Sequence, residues 1–140
     1  MTSPSTTAAA AATTTAEARA RQFAIEAARL AANTRCHNVV LLDVRGISPV
    51  TDYMILATGT SPRQMRTVCD DLAEMAEQRG NRSSGQNGLE GESWMLIDFF
   101  DVVVHVFSQE ARAFYDLDGL WGDAKRVEWN GEAPPTAPQA

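Results

Sequence analysis

Ser93-Trp94-Met95-Leu96-Ile97-Asp98-Phe99-Phe100-Asp101-Val102-Val103-Val104-His105-Val106-Phe107 reads as two strands and a tight turn. Both flanks alternate and are rich in β-branched and aromatic residues. If Asp98 and Asp101 close a two-residue turn at Phe99-Phe100, Ile97 lies beside Val102 and Met95 beside Val104. With Val106 these side chains make a wholly apolar face, which a sheet turns to a core. Alternation places Trp94, Leu96, Asp98, Asp101, Val103 and His105 on the opposite face. A large aromatic among aliphatics and acids is the composition of a protein-binding patch. A half-solvated sheet face with one stray Trp is the plain alternative, and pattern alone does not separate the two.

Upstream of the hairpin, Asn81 to Glu92 is polar and glycine-rich, and reads as a loop that encloses a short edge strand. Before it, Ser61-Pro62-Arg63-Gln64 combines an N-cap, a proline at the first helical position and a capping-box glutamine. The helix this opens runs to about Arg79, buries Met65, Val68, Cys69, Leu72, Met75 and Ala76, and ends at Gly80. Tyr53–Thr58 and Val39–Val44 are short apolar runs bounded by turn residues, hence buried strands. From Thr14, which has capping-box spacing to Glu17, apolar positions from Ala20 to Ala31 recur at helical spacing. The stripe is mostly alanine, so this helix must pack closely.

Downstream, Glu110–Tyr115 reads as a helical turn, and Leu117, Leu120 and Trp121 as a second that folds back on the sheet. Phe114 and Leu117 are expected in the core, and Trp121 is a candidate for the interface. The Ser/Thr/Ala-rich residues 1–13 and the Pro/Ala-rich residues 130–140 have too little to bury and read as disordered tails around a domain at 14–129. The tail lacks a secretory signal's basic region and apolar stretch. Its bias only faintly matches an organellar transit peptide.

A chain of 140 residues fits one domain. Its net charge of −6 argues against binding nucleic acid, whose phosphates require Lys and Arg, and suits a basic partner. No apolar run reaches the ~20 residues of a membrane span. Cys36 and Cys69 form no CxxC or disulfide framework, and read as reduced thiols. Cys36-His37 lacks further ligands at metal-site spacing, so neither metal nor cofactor is expected.

Four segments together resemble the ribosomal silencing factor, or Iojap-like, family. They are Thr51-Asp52-Tyr53 through Ala57-Thr58-Gly59-Thr60-Ser61 with Arg63-Gln64; Leu89-Glu90-Gly91 before Trp94; Asp98 through Phe107; and Arg112-Ala113-Phe114-Tyr115-Asp116-Leu117 leading to Leu120-Trp121-Gly122-Asp123-Ala124. The resemblance implies an α/β domain with a mixed β-sheet flanked by helices and a nucleotidyltransferase-like architecture. It also implies a non-catalytic cytoplasmic role: binding the large ribosomal subunit through ribosomal protein number fourteen, so that the small subunit is kept from joining when nutrients are short. Organellar relatives act in large-subunit assembly, and an assembly factor for the large subunit is the alternative role the resemblance implies for this chain. Phe100 departs from the small residue this family commonly has at the hairpin turn, which leaves the turn type open. An exposed Phe99-Phe100 tip would enlarge the patch.

The expected partner surface is therefore Trp94, Leu96, Asp98, Phe99, Phe100, Asp101, Val103, His105 and Trp121. Trp94, Leu96 and Val103 form its apolar centre, and the two acids meet basic groups. His105 reads more readily as a packed strand residue than as a base or ligand. A homodimer on the same face would compete with the ribosome. The rival class is a nucleotidyltransferase-like enzyme that uses Gly59-Thr60-Ser61 as a phosphate turn and Asp98 with Asp101 as metal ligands. It lacks a P-loop lysine, a GxGxxG and two acids spaced along one strand.

Overall fold

The computed structural model describes residues 4–80, 85–89 and 93–129, with side chains for 16–80 and 93–129. The elements run α1 (Pro4–Asn33), β1 (His37–Asp43), β2 (Tyr53–Thr58), α2 (Pro62–Gln78), β3 (Gly85–Leu89), β4 (Trp94–Asp98), β5 (Val102–Phe107), α3 (Gln109–Tyr115), α4 (Leu117–Leu120) and β6 (Lys125–Arg126). The strands form one sheet in the order β3-β4-β5-β2-β1-β6. Among the described residues only β2 and β5 pair in parallel, which makes the sheet mixed, as expected. Every residue of β2 is buried, because this central strand is covered on both faces.

One face of the sheet lies under α1 and α2. The alanine stripe of α1, Ala20, Ala24, Ala27, Ala28 and Ala31, lets that helix approach Leu41, Tyr53, Ile55 and the apolar face of the hairpin. Bulk comes from Phe23 and from Met65, Val68, Leu72 and Ala76 of α2. In α2, Ser61 Oγ accepts from the Gln64 N–H at 3.1 Å, and Gln64 Oε1 accepts from the Thr60 N–H at 2.9 Å. Gly59 is required before it, since a Cβ there would stand 2.1 Å from Met65 Cγ.

Helix α1 begins at Pro4 and passes through Thr14, so Thr14 is not its N-cap. The run Ala8–Ala12 has the highest helix propensity, and extending an existing helix is far easier than nucleating one. The expected second tail, 130–140, lies outside the described residues, as do Glu90 and Gly91. The edge strand expected within the glycine-rich loop is β3.

The hairpin turn sits one residue later than expected. The Phe99 N–H donates to the Val102 carbonyl at 2.8 Å and the Asp101 N–H to the Phe99 carbonyl at 2.9 Å, so the loop is Phe100-Asp101. Ile97 therefore faces Val104, and Met95 faces Val106. The slide is by two residues, an even number, so every side chain keeps its expected face. The cause is Phe99. It is buried at 5% exposure, with its ring edge-on to Phe23 at 5.1 Å. Phe100 takes the strained position, with φ of 72°, and Asp98 Oδ1 accepts its N–H at 2.8 Å.

Candidate protein-docking face

The second face of the sheet is only partly covered. Leu42, Val44, Met54, Leu56 and Phe107 are sealed there against Ala111 and Leu117. Among the described residues the cover stops toward β4, where Trp94, Leu96, Asp98 and Val103 are half-buried.

Two short helices set the border. Ser108 caps α3, with Oγ accepting from the Ala111 N–H at 3.1 Å. Asp116 ends α3 in the left-handed conformation and caps α4, with Oδ1 accepting from the Gly119 N–H at 3.1 Å. Arg112 locks the unit to the sheet. Its guanidinium holds Asp118 at 2.8 and 3.0 Å, and donates to the Asn38 carbonyl at 2.8 Å and to Thr58 Oγ1 at 2.9 Å. This pairing keeps the Asp118 carboxyl below the usual carboxylate range. Asn38 reaches Arg112 from an irregularity in β1, where its φ is 51°.

In so short a helix one side alone can rest on the sheet. Ala111 and Tyr115, four residues apart, take it. Phe114 is turned outward at 79% exposure and Leu120 at 73%, so neither covers the sheet as expected. Leu117 is in the core, as expected. Aromatic rings then run in series: Phe114 stands perpendicular to Tyr115 at 4.9 Å, Tyr115 lies 4.6 Å from Trp94, and Trp94 lies 5.1 Å from Phe107. Trp121 packs half-buried beside them.

Of the expected surface residues, this arrangement brings together Trp94, Leu96, Asp98, Val103 and Trp121, with Phe100 and Asp101 exposed at the hairpin tip. Two are corrected. Phe99 belongs to the opposite face and the core, and His105, 6% exposed, lies under the surface rather than on it. Missed by the sequence reading were Phe114 and Leu120. Their signal, two large apolar residues on helices too short to bury both sides, is visible only once helix length is known. At the tip, burial and then the charge of Asp101 push the Asp52 carboxyl above its ordinary value.

Burial pushes the His105 imidazole down to about 4. The Trp94 indole N–H donates to its Nδ1 at 3.1 Å, which requires that nitrogen unprotonated. In the unfolded chain the same group titrates near 6.5. Between these values the unfolded state binds more protons, so stability is full above pH ~6.5 and falls as the pH drops toward 4. Denaturant melts at pH 7.5 and 4.5 are expected to differ by roughly 2–3 kcal/mol. A loss equally large in a folded His105→Gln variant would assign the effect to another group.

The metal-dependent arrangement is not assembled. Asp98 and Asp101 flank the end of the sheet where Tyr53 faces Val102, whereas Gly59 follows Thr58 at the end where Thr58 faces Phe107. A six-residue strand separates the two ends by roughly 17 Å. The groove of about 1180 Å³ beside Gly59 and Ser61 includes Arg112, whose guanidinium is committed to Asp118, Thr58 and Asn38. Among the described residues no cluster of His, Cys, Asp or Glu could hold a metal ion. No described helix is long and apolar enough to cross a membrane.

Residues 17–140 match the sequence model of the family described as "Ribosomal silencing factor during starvation". The chain is 39% identical over 97 residues to ribosomal silencing factor RsfS of Halalkalibacterium halodurans, covering 69% of this chain and 83% of that protein. It is 37% identical over 90 residues to RsfS of Bacillus subtilis, covering 64% and 76%. With the chloroplastic protein Iojap of Arabidopsis thaliana it shares 31% identity over 113 residues, covering 80% of this chain and 47% of that one. Among solved structures, a protein from Chromobacterium violaceum superposes with a TM-score of 0.66 at 31% identity, covering 85% of this chain and 97% of that one.

Proposed function

Because the chain belongs to the ribosomal silencing factor family, we propose that it represses translation in the cytoplasm by docking on ribosomal protein number fourteen of the large subunit. Docked there, it stands in the path of the small subunit. The role is regulatory, and obstruction needs no bond made or broken. The observation that carries the reading is the uncovered part of the second sheet face. Trp94, Leu96 and Val103 are half-buried at its centre, Tyr115 and the exposed Phe114 continue it, and Asp98 and Asp101 border it. Apolar aromatics inside a charged rim are the anatomy of a protein interface.

The acids select the partner. A ribosomal protein seated on RNA presents cations, which Asp98, Asp101 and Asp52 attract, while the net charge of −6 repels bare RNA. Asp98 also fastens the turn through the Phe100 N–H, so Asp101 is the cleaner residue to test. Co-sedimentation with purified large subunits, with and without small subunits, checks the proposal. The chain is expected to pellet with large subunits and to reduce the yield of joined ribosomes, and Asp101→Lys to weaken both. Binding to small subunits instead, or joining unaffected at saturation, would overturn it.

A further inference from the structure

We propose that His105 is a positioning residue for the docking face: its Nδ1 takes the Trp94 indole N–H, so that a partner meets the ring's apolar surface and not its hydrogen-bond donor. This rests on the docking reading above.

The geometry follows from the register. Trp94 faces Phe107 and Leu96 faces His105 across the β4–β5 pair, so Trp94 and His105 are diagonal neighbours on one face, within reach of long side chains. The bond between them is 3.1 Å. His105 cannot swing away, because its ring lies parallel to Phe107 at 5.8 Å, with Leu56 and Leu96 on the flanking strands. Tyr115 closes on the indole from α3. A half-buried Trp held only by packing could choose among side-chain rotamers; the added bond selects one.

This has a consequence for recognition. A buried nitrogen that lost its partner would be left unsatisfied, which opposes any turn of the indole toward a partner's acceptor. The matching pocket on the partner is therefore an apolar slot without a carbonyl or carboxylate aimed at Nε1. The low proton affinity of the buried imidazole keeps Nδ1 available as an acceptor at neutral pH.

Nuclear magnetic resonance of the full chain, with the Trp94 indole resonance assigned from its absence in Trp94→Phe, provides the test. In the native protein that N–H is expected to exchange slowly with solvent. In His105→Phe it is expected to exchange at least ~10-fold faster, and large-subunit affinity to fall about 10-fold as the ring gains freedom to be lost on binding. His105→Gln, whose amide oxygen can accept the same bond, is expected to restore affinity to within about 3-fold of native. The proposal is overturned if His105→Phe binds as tightly as native, or if it binds weakly while Trp94 still exchanges slowly. Should His105→Phe fail to fold, fast indole exchange in the native protein alone is enough to reject it. Native-like binding by Trp94→Ala would instead remove the docking reading, and the exchange measurements would still decide whether His105 holds the ring.

Discussion

Phe99→Ala is expected to cost about 3–5 kcal/mol of folding stability, the range for emptying a buried aromatic site. Phe99 is 5% exposed and its neighbours cannot readily collapse into the space: Phe23 meets it edge-on from α1, and Val102 closes the turn beside it. The adjacent Phe100 is expected to respond in the opposite sense. It is 55% exposed at φ of 72°, a conformation glycine adopts without strain. Phe100→Gly should raise stability by up to ~1 kcal/mol, since relief of the left-handed strain exceeds the glycine entropy loss. Denaturant melts of the two variants check this pair. Equal sensitivity at the two positions, or greater sensitivity at Phe100, would mean that the wrong aromatic has been placed in the core.

The second large effect concerns binding. Trp94→Ala is expected to weaken association with isolated large subunits about 30-fold, equivalent to ~2 kcal/mol, as for a central aromatic in an interface. Its position supports the magnitude: it lies between Tyr115 and Phe107, with Leu96 next on the same face of β4. Phe114 is so exposed that it gains little support from its own chain, and Phe114→Ala is expected to cost less than about fivefold, as a peripheral contact. Glu74→Ala, on the exposed side of α2 and across the sheet, should leave binding unchanged. Because Trp94 also packs within the chain, each variant must be compared under conditions where its circular dichroism matches native. Trp94→Ala at native affinity, correctly folded, would place the ribosomal contact on another surface.

Much of the architecture is legible in local pattern. The limits of β2, the cap and proline that open α2, and the division of the hairpin into two faces follow from spacing and turn chemistry. The candidate face was legible to the same degree, because alternation alone places Trp94, Leu96 and Val103 together. What local pattern misplaced were features with balanced local preferences. The two-residue strand β6 carries too little signal to be found before β1 offers it a partner. Phe114 and Tyr115 are both large aromatics, and neither declares which will face the sheet.

Taken alone, the order of residues determined which segments are strands and helices, which side of each strand is apolar, and the family resemblance that the comparisons bear out. Tertiary packing decided the rest. Phe99 and Phe100 are chemically identical neighbours, and only Phe23, brought from a distant helix, gives one of them a buried contact that the other lacks. That contact moves the turn by one residue and the pairing by two. The same kind of distant partner, His105 across the strand pair, turns Trp94 from an aromatic on a surface into an aromatic held in one orientation. Contacts between residues far apart in the chain leave no periodicity behind, so they become visible only when the sheet and its helices are in place.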